Sequence, residues 1–200
     1  MIRIQGEIPR NVVVASSGGV DSMAVVDFLK RNHEVTILFV HHHTEASNTA
    51  YEFLKEYTSE TGLTFVTHFI DPDIPSNVSR EEHWRNERYK FFHSCNSPVV
   101  TCHHLDDCVE TWVWSSMHGT GKWIPYSNAN VIRPFRLTRK REFEMWCLAN
   151  NVRWTEDESN KDIRYMRNYV RHEMMPHVLK VNPGIHKTIA KKIIEETTDE

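Results

Sequence analysis

The chain has 200 residues, of which 40% are hydrophobic, and this content is enough for one substantial core and excludes a disordered chain. Its formal net charge of −3 excludes a uniformly basic nucleic-acid-binding protein, although the segment 131–172 holds ten Lys and Arg against six Asp and Glu. A basic segment on an acidic chain is a weak indication of a polyanionic partner.

Cysteine spacing and hydropathy indicate the compartment. The four cysteines include no CxxC pair, which excludes a zinc ribbon and a thioredoxin-like dithiol, so we expect free thiols. The chain begins without a basic and apolar leader, and no apolar stretch approaches the roughly 20 residues that span a bilayer. These features predict a cytoplasmic protein with no membrane segment.

Short β-branched runs alternate with longer helical patterns over the first 117 residues. The predicted strands are Val12–Ala15, Val35–Val40, Thr64–Ile70 and Pro98–Cys102. The helices predicted between them are Val20–Arg31, Glu45–Thr61 and Ser79–His93. Apolar strands separated by helices of this length predict an α/β fold with a doubly wound parallel sheet, Rossmann-like, with helices on both faces.

The sequence SSGGVDS at 16–22 follows the first strand and opens the first helix. Its glycines allow a sharp turn close to a ligand, and the first amides of the helix favour an anion. The loop lacks the Walker A lysine and the GxGxxG spacing, so it indicates a pyrophosphate site rather than a kinase or dinucleotide site. Its candidate ligand-binding residues are Ser17, Gly18, Gly19 and Ser22. Asp21 can assist an anion only through a cation, which predicts Mg²⁺ on Asp21.

Two further polar clusters follow strands. His41–His43 follow the second strand, and HHLDD at 103–107 follows the fourth. Ligands bind beyond the carboxyl ends of parallel strands, so these clusters and the glycine loop predict one common site. Asp107 and Glu110 share a helix face and could bind an ammonium group and help to remove its proton. Helix capping is the alternative role for Asp106 and Asp107. His103 is the stronger candidate for the site, whereas His104 could simply pack.

After residue 117 the pattern becomes a loop followed by helices. We predict helices at Thr138–Asn150, from Tyr165 onward and at Ile185–Glu196, with an Asp, Ser and Asn-rich turn before the second. These elements suggest an α/β domain at 1–130 and a short helical C-terminal extension at 131–200, packed on the same domain.

The glycine loop SGGVDS resembles the PP-loop of the N-type ATP pyrophosphatases, whose fold is adenine nucleotide alpha hydrolase-like. Four other stretches resemble the tRNA(Ile)-lysidine synthetases: HHLDDCVET at 103–111, IRPF at 132–135, EEHWRNERY at 81–89 and W-x-E-D-x-S-N-x-D-x-x-Y-x-R-N-x-x-R at 154–171. The resemblance covers about residues 11–177 and concerns the catalytic N-terminal domain. We expect the C-terminal tRNA-binding domains of that family to be absent.

The resemblance implies an ATP-dependent ligase. It would join free L-lysine to C2 of the wobble cytidine of tRNA(Ile) with a CAU anticodon, through an adenylated cytidine, and release AMP and pyrophosphate. The implied cofactors are ATP and Mg²⁺. We expect recognition mainly of the anticodon stem and loop, and a homodimer is one way to enlarge the binding surface.

The resemblance also implies residue roles. The catalytic group would be Asp21, His103, Asp107 and Glu110, with Asp107 and Glu110 also binding lysine. ATP would be bound by Ser17, Gly18, Gly19, Asp21, Ser22, Arg85 and Arg88. The tRNA backbone would be contacted by Arg133, Arg136, Arg167 and Arg171.

Three departures from the family and three alternatives remain. The arginine that the family has shortly after the strand-end histidine is missing from HHHTEASN at 41–48. His118 stands where the family usually has an arginine before a Gly-x-Gly segment, and Trp84 stands where a small residue is usual. One alternative is a PP-loop tRNA thiolase, which the absence of CxxC disfavours. Another is a phosphohydrolase with the metal ligands His41, His43, His103, Asp106 and Asp107. The third is an ATP- or tRNA-binding protein without turnover.

Overall fold

The computed structural model describes residues 1–198 of the protein and contains one six-stranded sheet. The strands are β1 (Asn11–Ala15), β2 (Glu34–His41), β3 (Thr64–Phe69), β4 (Val99–Thr101), β5 (Ser127–Asn128) and β6 (Val131–Ile132). Their order across the sheet is β3-β2-β1-β4-β6-β5. Every neighbouring pair is parallel except β5 with β6, so the predicted parallel sheet is confirmed.

Helices connect the strands as the sequence predicts, with ends that differ by a few residues. They are α1 (Val20–Leu29), α2 (Glu45–Thr61), α3 (Arg80–Ser94), α4 (Leu105–Met117), α5 (Lys140–Ala149), α6 (Met166–Tyr169), α7 (Met175–Val181) and α8 (Ile185–Thr198). A π-helical turn at Val170–Met174 joins α6 to α7, and a 3₁₀ turn lies at Glu158–Lys161. Strands β5 and β6 have two residues each, too few to produce a readable sequence pattern.

The strands bury both faces because alternate side chains point to opposite sides of the sheet. Val12 and Val14 of β1 belong to the core beneath α1, α2 and α5. Val13 and Ala15 pack on the opposite core, which includes Phe92 of α3. A third core joins α4 to the C-terminal helices. The expected helices on both faces of the sheet are therefore present.

The segment 131–198 is attached to the rest of the chain through the sheet as well as through helices. Its first residues form β6, which pairs with β4. On α5, Trp146 Nε1 donates a 2.9 Å hydrogen bond to Asp27 of α1. Asp199 and Glu200, the end of the predicted extension, lie outside the described residues. Among the helices of residues 1–198, none combines the length and the apolar composition that crossing a bilayer requires.

Candidate active site

The glycine loop and the HHLDD motif meet at the carboxyl edge of the sheet because β1 and β4 are neighbours. His104 Nε2 lies 3.6 Å from Asp21 Oδ2. The Asp107 amide donates to His104 Nδ1 at 3.2 Å, which leaves Nε2 to carry the ring proton toward Asp21. His104, expected only to pack, thus connects the glycine loop to Asp107. Its position in HHLDD was the only sequence signal for this role.

Gly18 adopts a backbone conformation that favours glycine, with φ of +78°. A Cβ built there would also lie 2.9 Å from Thr155 Oγ1. The Thr155 amide donates to the Gly18 carbonyl at 2.8 Å, so the segment after Trp154 closes directly on the loop. Sequence reasoning missed Thr155, because a variable position within a long motif gives no sign of a distant partner.

The first turn of α1 is open to a ligand. Gly19 is the N-cap residue, and no side chain of the described residues caps this turn. Unpaired N–H groups at a helix start, together with the exposed Ser17, suit an anion. The Ser22 hydroxyl is buried and donates to the Gly19 carbonyl at 2.9 Å. The Ser22 side chain therefore shapes the loop, and the role of Ser22 in ATP binding stays a prediction.

Asp21 has a carboxylate oxygen that needs a partner. Its Oδ1 is buried and makes no hydrogen bond within residues 1–198. A buried orphan oxygen beside an anion-binding loop fits a Mg²⁺ ligand, since Mg²⁺ is commonly held by one or two carboxylates plus substrate phosphates. In the described part of the chain, no group of three His, Cys, Asp or Glu side chains is arranged to hold a metal by itself. Phosphate oxygens and water would therefore have to complete the coordination.

The predicted ligands of a metal phosphohydrolase do not form a cluster. His41 Nε2 bonds to Asn48 Oδ1 at 3.0 Å, and His43 Nε2 bonds to the Ile70 carbonyl at 2.8 Å. Asp106 is bound by Arg139 and accepts from the Lys140 amide at 2.8 Å, which fixes α5 against α4. Because these side chains are hydrogen-bonded to other groups and do not converge, the structure gives no support to the metal phosphohydrolase alternative.

The cysteines do not support a thiolase either. All four are free, and Cys108 and Cys147 are buried. Burial raises the pKa of Cys108 to about 12 and also raises the pKa of Cys102, which follows β4. A thiol that stays protonated is a poor nucleophile, so these groups are unsuited to sulfur transfer in this conformation.

Asp107 and Glu110 are both buried and both paired with arginine. Asp107 Oδ1 accepts from Arg167 Nη2 at 2.7 Å and from Arg171 Nη2 at 2.9 Å. Arg171 also donates two 2.9 Å hydrogen bonds to Glu110. Burial alone would raise the pKa of Asp107, but the neighbouring His104 and the charge of Arg167 hold it far below its usual value. Both candidate lysine-binding carboxylates thus already hold a cation.

Asp107 also has the capping role that was its alternative. Its Oδ2 accepts from the His104 amide at 3.1 Å, while His104 caps the helix in return. One carboxylate oxygen therefore starts α4 and the other faces the arginines. Capping and a role in the site are compatible, since they use different oxygens.

A second group of cations surrounds His103. Burial, together with repulsion from Arg167 and other arginines, lowers the pKa of His103 to about 4. Burial and the charge of Arg88 lower the pKa of His42 to about 4 as well. Arg88 forms no ion pair with any residue that the structure describes, and its guanidinium lies 5.9 Å from the Tyr89 ring centre. Exposed Arg85 lies against the same ring. An anion such as a phosphate would complement this group.

Two of the predicted tRNA contacts are corrected by burial. Arg133 is 3% exposed and donates to the Pro125 carbonyl and to Tyr89 Oη, each at 3.1 Å. Arg136 is 1% exposed and donates to the Ile124 carbonyl at 2.8 Å. Both arginines lie just after β6, and their guanidinium groups face the interior, so they do not reach an external phosphate in this conformation. The Arg167 side chain is 63% exposed and is able to reach such a phosphate, whereas the Arg171 side chain is mostly covered.

Curated tRNA(Ile)-lysidine synthases are similar to this chain. That of Legionella pneumophila (strain Paris) is 29% identical over 198 residues, covering 91% of this chain and 46% of the relative. That of Francisella tularensis subsp. novicida (strain U112) is 27% identical over 198 residues, covering 92% and 50%. That of Vibrio vulnificus (strain YJ016) is 31% identical over 197 residues, covering 90% and 45%. The chain thus spans about half the length of these relatives.

The fold and the sequence family agree. An NH3-dependent NAD synthetase from Campylobacter jejuni, solved in complex with a nitrate ion, superposes with a TM-score of 0.51 at 14% identity. The match covers 96% of this chain and 87% of that structure and shows the likeness of fold. The family described as "PP-loop domain" matches residues 4–178. The chain belongs to this PP-loop domain family.

Proposed function

We propose that this chain is the catalytic part of a tRNA(Ile)-lysidine synthase. The observation that carries the proposal is the contact between Asp21, His104 and Asp107, because it places the anion-binding loop next to the acidic pair. The similarity to lysidine synthases over more than 90% of this chain supports the same assignment. We also propose the division into a 1–130 ATP-binding domain and a 131–200 extension.

The first step would use the glycine-loop side of the site. The C2 carbonyl oxygen of the wobble cytidine attacks the α-phosphate of ATP, an O–P bond forms, and the bond to pyrophosphate breaks. The open amides of α1 and the unpaired Arg88 would stabilise the charge that collects on pyrophosphate. Mg²⁺ held by Asp21 would neutralise part of that phosphate charge. Arg85, exposed beside Arg88, would bind the outer phosphates.

The second step would use the acidic pair. The ε-amine of lysine attacks C2, a C–N bond forms, and AMP leaves. Asp107 and Glu110 would bind the ammonium form of the side chain before the attack. The same carboxylates would help to remove its proton. His103, whose pKa of about 4 makes it uncharged near neutral pH but too weak a base to hold that proton, would orient the amine. The ammonium has to replace some contacts that Arg171 makes with the carboxylates, and Arg167 is placed to meet tRNA phosphate.

We also propose where the protein works and what it binds. Its cytoplasmic location follows from the proposed tRNA substrate, and the anticodon stem and loop would be the part of tRNA(Ile) that it recognises. A homodimer would enlarge the RNA-binding surface. Analytical ultracentrifugation with and without the stem-loop would measure that state, and activity of a strictly monomeric complex would exclude the dimer.

The test is a direct search for lysidine. Purified protein is incubated with ATP, Mg²⁺, labelled lysine and tRNA(Ile) bearing CAU, and the digested RNA is analysed by mass spectrometry. Asp21→Ala and Asp107→Ala are each expected to lower the rate roughly a hundredfold or more. Glu52→Ala, an exposed carboxylate of α2, is the control and should keep wild-type activity. If AMP were released with another RNA and no lysidine formed, the proposed adenylation would be supported but the assignment of tRNA(Ile) as the substrate would be contradicted.

A further inference from the structure

The carboxyl end of α4 displays two aromatic rings. Trp114 is 42% exposed, and His118 is exposed beside it. Their ring centres are 4.3 Å apart and the planes are tilted by 35°. His118 Nδ1 donates a 2.8 Å hydrogen bond to the Trp114 carbonyl, which fixes the imidazole over the helix end. Exposed Met117 adds apolar surface to the same helix end.

The loop after these rings is held against α4. The Ser115 hydroxyl donates to the Lys122 carbonyl at 2.7 Å and accepts from the Lys122 amide at 2.8 Å. The Thr120 amide donates to the Ser115 carbonyl at 3.0 Å. Gly119 and Gly121 supply the positive φ angles of the turn. Because the turn is already ordered, a ligand that binds here would lose little affinity to ordering the protein.

The rings lie on the same face of α4 as the acidic pair. Trp114 is seven residues after Asp107 and four after Glu110, so the three side chains align along the helix. At 1.5 Å per residue, Trp114 is about 6 Å further along the axis than Glu110. Arg171 binds Glu110 on this face, and the exposed Lys122 follows the rings. Aromatic surface and cations therefore continue directly from the site.

We propose that Trp114 and His118 form a stacking platform for a nucleobase of single-stranded RNA next to the reacting nucleotide. The proposal rests on the proposed function and adds a surface to it. Aromatic rings beside cations bind single-stranded RNA by stacking bases and attracting phosphates. Trp114 and Met117 are the exposed large hydrophobic residues of α4, and Arg171 is held at Glu110 one turn away, an arrangement that suits one base better than a protein interface. An unpaired base of the anticodon loop has the required chemistry.

The experiment compares exposed apolar residues on different helices. A fluorescently labelled anticodon stem-loop is titrated with wild type, Trp114→Ala, Trp114→Phe and Leu148→Ala, and anisotropy gives Kd. Leu148 of α5 is 68% exposed and serves as the matched control. Trp114→Ala is expected to raise Kd roughly five- to a hundredfold, the loss typical of one stacked base. Trp114→Phe keeps a ring and should restore most of the affinity, while Leu148→Ala should match wild type.

Abasic RNA locates the base. Kd is measured for wild type and for Trp114→Ala with stem-loops that each lack one loop base. One abasic position should weaken RNA binding by wild type and leave the Kd of the variant unchanged. Equal Kd values for Trp114→Ala, Leu148→Ala and wild type would overturn the platform. The platform would also be overturned if Trp114→Ala abolished a dimer and left the RNA affinity unchanged, because the rings would then contact a second copy of the chain. Lysidine formation by wild type tests the proposed function separately, whatever the variant does.

Discussion

Arg171 donates two hydrogen bonds to Glu110, both 2.9 Å, so the guanidinium lies on the carboxylate that would receive the lysine ammonium. The third bond of the same side chain, to Asp107, makes it the shared cation of the acidic pair. Arg171 and the lysine ammonium would therefore compete for the same pair of carboxylates. Lysine binding and the stability of the C-terminal helices should respond together to changes at Arg171.

Replacing this arginine should cost more stability than replacing its neighbour. Arg171→Ala leaves two buried carboxylates with too little positive charge, and we expect a loss of about 2–3 kcal/mol in unfolding free energy. Arg167→Ala removes one bond from a largely exposed side chain and should cost about 1 kcal/mol or less. Urea unfolding followed by circular dichroism measures both. Equal losses would show that Arg171 is not the main partner of the pair.

The orphan oxygen of Asp21 predicts a separation of binding from stability. Asp21→Asn should lower the unfolding free energy by about 1 kcal/mol or less, because Oδ1 has no hydrogen bond to lose and Oδ2 has only the 3.6 Å contact with His104. Mg²⁺-dependent ATP binding, measured by calorimetry, should nevertheless fall sharply. Asp106→Asn is the comparison, since Asp106 is bound by Arg139 and His186 and should lose about 2 kcal/mol. A large stability loss in Asp21→Asn would contradict the assignment of a ligand to this oxygen.

Gly18 and Gly62 form a matched pair for testing the glycine loop. Both have φ of about +70° to +80°, but a Cβ at Gly62 would meet open space, whereas one at Gly18 would meet Thr155 Oγ1. Gly62→Ala should cost about 1 kcal/mol through backbone strain alone. Gly18→Ala should cost more and should weaken ATP binding, because the loop has to move away from Thr155.

The double variant checks that reason. Thr155→Ala removes the clashing oxygen but keeps the backbone hydrogen bond to Gly18. Gly18→Ala combined with Thr155→Ala should therefore be more stable than the sum of the single changes predicts, as a coupled pair requires. Strict additivity in thermal unfolding would show that strain, and not the contact, sets the cost.

The sequence predicts the elements better than their polar contacts. Runs such as Val12–Ala15 predict a buried strand, and the glycine loop predicts a turn, because these local structures depend mainly on residues that are close in sequence. The burial of Arg136 depends on partners distant in sequence, among them Gln5 and Glu196, which no local pattern shows. The same holds for Arg171, which reaches Glu110 across 61 positions. Charge counts could therefore indicate a basic segment but not which arginines face outward.

The two histidines of low pKa predict how stability depends on pH. His42 and His103 each take up a proton near pH 6.5 when unfolded but only near pH 4 when folded, because burial and nearby arginines oppose the charge. Between these values the unfolded chain binds more protons, so the unfolding free energy should fall as the pH is lowered from about 6.5 to about 4. Asp106 and Asp107, whose pKa values are depressed, add a further loss only as the pH falls below about 4.

Urea midpoints at pH 7 and pH 5 measure this difference. His42→Gln and His103→Gln cannot be protonated, so each should reduce the loss of stability between the two pH values, and the double variant should reduce it further. His177→Gln, a change on the exposed side of α7, is the control and should retain the wild-type difference. Should the double variant lose as much stability as wild type on going to pH 5, protonation at His42 and His103 would not be what destabilises the protein there.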